Sequence, residues 1–175
     1  MKNLAKLFTA LLFIPFATNA QDATPAINTG TYNWAIGLRG GNTSGLTIKN
    51  NFNAYSLEGI IGLWSHGFNA TLLYERNNAT TVNGLNWYYG GGGHLSAYTG
   101  HVYGHGNPHY HYYDRYDYLY DDGVGLGVDG VIGIEYKFPP VPFAVSFDLK
   151  PFVEVTSNGN VWGALDPGLG IKFTF

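Results

Sequence analysis

The chain contains no cysteine. That removes disulfides, thiolate metal sites, cysteine nucleophiles and the acylated cysteine of a lipoprotein. Charge is also scarce. Only 12% of residues are Asp, Glu, Lys or Arg, against about 25% in ordinary soluble domains. The formal net charge is −3 and no basic cluster occurs, so nothing here attracts a nucleic acid. Beyond residue 20 there is no run of about 20 apolar residues, which excludes a membrane-spanning helix. A chain of this kind can enter a bilayer only as a closed β-barrel. What it has in quantity is glycine, 25 residues, and aromatics, 17%.

Residues 1–20 read as a targeting segment. Lys2 and Lys6 are followed by the short apolar run Leu7 to Phe16, then by the small residues Thr18-Asn19-Ala20. This is the pattern of a secretory signal peptide, with cleavage expected after Ala20. Residues 21–30 are polar, include Pro25, and read as a flexible lead-in. One domain is expected over 31–175.

That domain is organised around Gly123 to Phe138. Val124, Leu126, Val128, Ile132, Ile134, Tyr136 and Phe138 alternate with Gly123, Gly125, Gly127, Asp129, Gly133, Glu135 and Lys137, with one lapse at Gly130/Val131. A period of two is a strand with one apolar and one polar face. Seven further segments behave alike: Tyr32 to Arg39, Ser44 to Asn51, Ala54 to Trp64, Phe68 to Arg76, Leu85 to Ala97, Phe143 to Val155, and Val161 to Phe175. Turn-forming residues separate them, including Asn50-Asn51-Phe52-Asn53 and the stiff Pro139-Pro140-Val141-Pro142. Eight strands in hairpin order suit an all-β, antiparallel up-and-down barrel.

Alternation alone does not say which face is inside. A soluble sandwich gives the same pattern. Three features favour a transmembrane barrel, whose apolar face meets lipid. The longest connection, 98–122, falls on the side opposite the termini. Aromatics of the apolar phase (Tyr32, Trp34, Tyr55, Tyr74, Trp87, Tyr89, Tyr136, Phe143, Phe173) gather towards the termini, as at a membrane interface. The last strand ends Lys172-Phe173-Thr174-Phe175. In these respects the chain resembles the small eight-stranded outer-membrane barrels of Gram-negative bacteria, of the OmpX and OmpA-transmembrane type. The resemblance implies residence in the outer membrane, lipid as surrounding partner, and recognition of Ile171, Phe173 and Phe175 by the outer-membrane assembly machinery. It implies no particular activity.

The polar phase would line the lumen with Arg39, Lys49, Lys137, Lys150 and Lys172, and with Glu58, Glu75, Asp129, Glu135, Asp148, Glu154 and Asp166. Eight strands leave room only for side chains, and buried charges require partners. A salt-bridged, closed interior is therefore expected. Gly90, Gly92, Gly123, Gly125 and Gly127 share the inward phase and leave open the alternative of a small ligand pocket.

Two stretches could carry chemistry. Within the connection 98–122, His101, His105, His109 and His111 with Asp114 could ligate a metal ion, since His109 and His111 at i, i+2 point one way on extended chain. The plainer reading is a Tyr/His-rich surface loop contacting an extracellular partner. His94 and Ser96 resemble the His-x-Ser pair of outer-membrane lipid A deacylases, which gives a lipid-modifying hydrolase as the alternative function. Both fall in the inward phase, whereas a lipid substrate lies outside. The expectation is a non-enzymatic barrel that requires no cofactor.

Overall fold

The computed structural model describes residues 32–64, 67–98, 123–157, 159 and 161–175. They form eight strands: β1 (Trp34–Gly41), β2 (Gly45–Phe52), β3 (Tyr55–Trp64), β4 (Gly67–Ala79), β5 (Leu85–Tyr98), β6 (Gly123–Lys137), β7 (Phe143–Thr156) and β8 (Val161–Thr174). Each pairs antiparallel with its neighbours in sequence. β1 also pairs with β8, so the sheet closes into a barrel without an edge. At the seam Ala35 faces Thr174 and Leu38 faces Ile171. Trp34 and Phe175 then exchange backbone hydrogen bonds of 2.9 and 2.8 Å. Both described ends of the chain therefore sit at one rim, here called the terminal rim. The connection between β5 and β6 leaves from the other.

Side-chain distribution is inverted relative to an ordinary soluble core. Apolar residues point outward from every strand: Leu38, Leu46, Leu63, Leu72, Leu95, Leu126, Val153 and Leu169 are all exposed, with Val128 at 67%. The buried set is mostly polar or charged, including Arg39, Lys49, Glu58, Glu75, Lys150, Glu154, Asp166 and Lys172. Interior space in so narrow a barrel is filled by side chains meeting across it. The sandwich alternative is overturned, because the apolar rows face away from a single closed sheet and, among the described residues, meet no second sheet.

Two local corrections follow from the register. The lapse at Gly130/Val131 is not a break in the strand. Val131 turns inward and is buried, while Gly130 takes the outward position beside Pro151 of β7. Tyr32, expected on the outward apolar face, precedes β1 and folds under the terminal rim instead. It is buried, and its hydroxyl donates to Glu135 Oε1 at 2.7 Å. Chain outside the ladder is free of strand alternation, so its parity in sequence says nothing about its face.

Outward rings gather at the terminal rim and touch one another. Tyr55 and Tyr74 stack at 5.4 Å, as do Trp87 and Tyr89. Tyr136 meets Phe138 edge-on at 4.9 Å, and Phe143 meets Phe173 at 5.6 Å. Arg76, the charge that sequence parity puts among them, is exposed and lies 5.9 Å from the Tyr55 ring centre.

Candidate functional site

The polar phase of eight strands converges on the lumen, where the charged groups form two tiers. Nearer the terminal rim, Lys172 Nζ sits between Glu58 Oε1 at 3.0 Å and Glu135 Oε2 at 3.3 Å. Lys49 Nζ lies 2.8 Å from Glu75 Oε2 and 3.8 Å from both Glu58 and Glu135. Neutral donors complete the tier. Thr47 donates to Glu58, Ser56 donates to Glu75 at 3.0 Å, and Tyr32 donates to Glu135. Burial pushes the Tyr32 hydroxyl above its ordinary pKa, and the neighbouring Glu135 carboxylate pushes it the same way. Glu75 Oε1 is buried without a hydrogen-bond partner among the described residues.

The second tier lies towards the opposite rim. Arg39 holds Asp148 at 2.6 Å and Asp166 at 3.0 Å. Lys150 Nζ lies 3.0 Å from Asp129 and 3.7 Å from Asp166. His94 stands between two carboxylates, its Nδ1 2.7 Å from Asp129 Oδ2 and its Nε2 2.9 Å from Glu154 Oε2. Glu154 gathers three more donors: Ser96 at 2.7 Å, Tyr98 at 2.5 Å and the indole of Trp162 at 3.1 Å. The chain Asp148–Arg39–Asp166–Lys150–Asp129–His94–Glu154 is thus continuous, with carboxylates and nitrogen bases alternating along it.

An apolar layer separates the tiers. Ile60 of β3, Leu73 of β4, Tyr88 of β5 and Val131 of β6 form one buried cluster. On β6 the inward order runs Asp129, Val131, Gly133, Glu135, so the layer falls between the second tier and the first. Lys49 Nζ lies 4.3 Å from the Tyr88 ring centre, a cation–π contact with the layer from the first tier. Sequence reasoning underweighted this layer because period-two alternation assigns a face, not what a narrow interior can hold.

Two of the glycines that left open the alternative of a pocket, Gly125 and Gly127, are covered by side chains. A Cβ on Gly127 would collide with the His94 ring, and one on Gly125 with the Glu154 carboxylate. Gly133 lies under the Tyr88 hydroxyl. Gly90 and Gly92 serve another purpose: β5 runs so close to β4 there that a Cβ would strike the carbonyl oxygens of Tyr74 and Leu72.

Eleven of the charged residues assigned to the lumen from sequence are brought together in these tiers: Arg39, Lys49, Glu58, Glu75, Asp129, Glu135, Asp148, Lys150, Glu154, Asp166 and Lys172. Lys137 is not among them. It ends β6, and its Nζ donates to the carbonyls of Phe138 and Val141 at 2.9 and 2.8 Å, tying the proline-rich turn at the terminal rim. Sequence reasoning missed Tyr32, Tyr98 and Trp162 as network members, and aromatic residues just inside or beyond a strand end were the available signal.

His94 and Ser96 face the lumen and are buried. Both His94 nitrogens are taken by carboxylates, and the Ser96 hydroxyl donates to Glu154 while accepting from Asn69 at 3.0 Å. A nucleophilic serine needs a neighbouring base to take its proton, and His94 has no free nitrogen to do so. His101, His105, His109, His111 and Asp114 lie outside the described residues. Among the described residues no three histidine or carboxylate groups converge to hold a metal ion. Ile171 and Phe173 are outward on β8, and Phe175 follows it, also exposed.

No protein-family model, curated protein or solved structure significantly matches this chain.

Proposed function

We propose that the protein is an integral outer-membrane β-barrel with a closed lumen, which carries its 98–122 connection at the cell surface as a contact element. The observation that supports this reading most is the inversion of the surface. Leu126, Val128, Leu165 and Leu169 are each more than half exposed, and the exposed apolar rows run around the whole barrel. Soluble monomers rarely expose contiguous apolar patches beyond a few hundred Å², whereas hydrocarbon accepts such a surface. Rings gathered at the terminal rim fit a bilayer interface. Strands β4 to β8 exceed the roughly 9–11 residues that a tilted strand needs to cross. The ion-paired tiers and the apolar layer leave the lumen a packed plug, so the protein acts by what it presents, not by what it conducts. On this reading it resembles the OmpX and OmpA-transmembrane barrels, and Phe175 is its assembly signal.

The test is refolding into phospholipid vesicles. The protein is expected to stay with the vesicles through an alkaline carbonate wash and to give no unit conductance in a planar bilayer. Recovery in the aqueous phase without detergent would contradict membrane residence, and steady ion flux would contradict the closed lumen. Ser96→Ala is expected to leave lipid A acylation unchanged, because Ser96 works here as a donor to Glu154.

A further inference from the structure

His94 is the only described histidine, and its position is unusual. Asp129 of β6 faces Nδ1 at 2.7 Å and Glu154 of β7 faces Nε2 at 2.9 Å. A neutral imidazole carries one N–H and can donate to only one of them. The remaining groups around the ring do not change this. Ser96 and Tyr98 of its own strand, and Trp162 of β8, donate to Glu154. Lys150 of β7 serves the other oxygen of Asp129 and reaches Asp166 of β8, which Arg39 of β1 also holds. From β4, Thr71 donates to Asn69, and Asn69 donates to Ser96. Without a charged His94 the second tier sets four carboxylates, Asp129, Asp148, Glu154 and Asp166, against two cations among the described residues, Arg39 and Lys150.

Packing around the ring is equally committed. The inward side of Gly127 is covered by the imidazole. Phe152 meets His94 edge-on at 5.4 Å, and Trp162 meets Phe152 edge-on at 4.9 Å. His94, Phe152 and Trp162 therefore form one aromatic course from β5 through β7 to β8, tied by Glu154, which bonds to both His94 and Trp162.

We propose that His94 is a structural imidazolium, kept doubly protonated at neutral pH, and that its charge holds the Glu154 node shut across the rim opposite the termini. Loss of that proton leaves Asp129 or Glu154 without its charge-assisted donor and sets a net repulsion inside the tier. The seal is thus intact at neutral and mildly acidic pH and loosens as pH rises through the titration of His94.

The full-length protein in detergent micelles, labelled with ¹⁵N in histidine rings and tryptophan indoles, tests this. One ring, absent from the spectrum of His94→Asn, is expected to keep both nitrogens protonated at pH 8. The Trp162 indole proton, assigned with Trp162→Phe, is expected to lose at least about tenfold in protection, beyond the base-catalysed rise of exchange with pH, once that ring titrates, as its closed state opens locally. If no ring remains charged at pH 8 the proposal fails, and that result needs no variant. It fails equally if every ring charged at pH 8 persists in His94→Asn. Should that variant not fold, His94→Gln supplies the assignment. A Trp162 protection factor indifferent to the His94 titration would overturn the sealing role.

Discussion

Lys172 Nζ lies 3.0 Å from Glu58 Oε1, an ion pair that joins the last strand to the third through the middle of the barrel. The two residues are far apart in sequence and on non-adjacent strands, so the contact exists only once β1 has paired with β8. The same ammonium holds Glu135. Replacing Lys172 by Met leaves two buried carboxylates short of a partner. The expected loss is about 3–5 kcal/mol, the usual cost of orphaning a buried charge. Urea titration of the protein folded in vesicles measures it. Lys172→Met with Glu58→Gln should recover part of the loss, and strict additivity of the two changes would deny the pair.

Gly127 and His94 are a matched pair of absence and bulk. Gly127→Val sets a side chain where the imidazole lies. It should displace His94 from Asp129 and Glu154 and cost about 1–3 kcal/mol, as overpacking does. Gly159, with no described residue near a Cβ but a positive φ of 81°, is the contrasting site. Gly159→Ala should disturb the turn and leave His94 in place, which the histidine ring spectra of the two variants would distinguish.

Tyr32 closes the terminal rim by donating to Glu135. Tyr32→Phe keeps the ring and removes the donor. A decrease of about 1–3 kcal/mol is expected, in the range for a hydrogen bond to a charged group. Equilibrium unfolding of the two proteins in the same lipid gives the comparison. No change would mean that Lys49 and Lys172 alone satisfy Glu135.

Substitutions on the outward face should depend on depth. Val128→Arg, near the middle of β6, is expected to cost about 2–4 kcal/mol in a bilayer, and Phe175→Arg at the rim about 0–1 kcal/mol. Refolding yields and unfolding midpoints in vesicles would show the gradient. Equal and small effects at both sites would mean that water, not hydrocarbon, covers the outside.

The barrel was largely legible because alternation survives in every strand and because nearly every strand charge shares one phase. Even the lapse at Gly130/Val131 proved to be an exchange of a large and a small residue without a change of phase. Partner choice was not legible. Lys172 meets Glu58 and Glu135 through the stagger of a closed sheet, which no local pattern encodes. Lys137 obeyed its parity but stood at a strand end, where a long flexible side chain reaches turn carbonyls more readily than the lumen. Tyr32 lay beyond the ladder, so its parity carried no information. His94 looked like half of a catalytic pair because spacing places Ser96 on its face. What decides its role is contributed by Asp129 and Glu154, from strands distant in sequence.

The central claim is that hydrocarbon covers the outward apolar rows, and the lack of native cysteine makes it directly measurable. Single cysteines at Val124, Leu126, Val128, Ile132 and Ile134 of β6 would carry nitroxide labels in the vesicle-reconstituted protein. Collisions with dissolved oxygen should peak near Val128 and fall towards both strand ends, while a water-soluble nickel complex should be excluded from the middle positions. Uniform access of the nickel complex to all five labels would contradict the account.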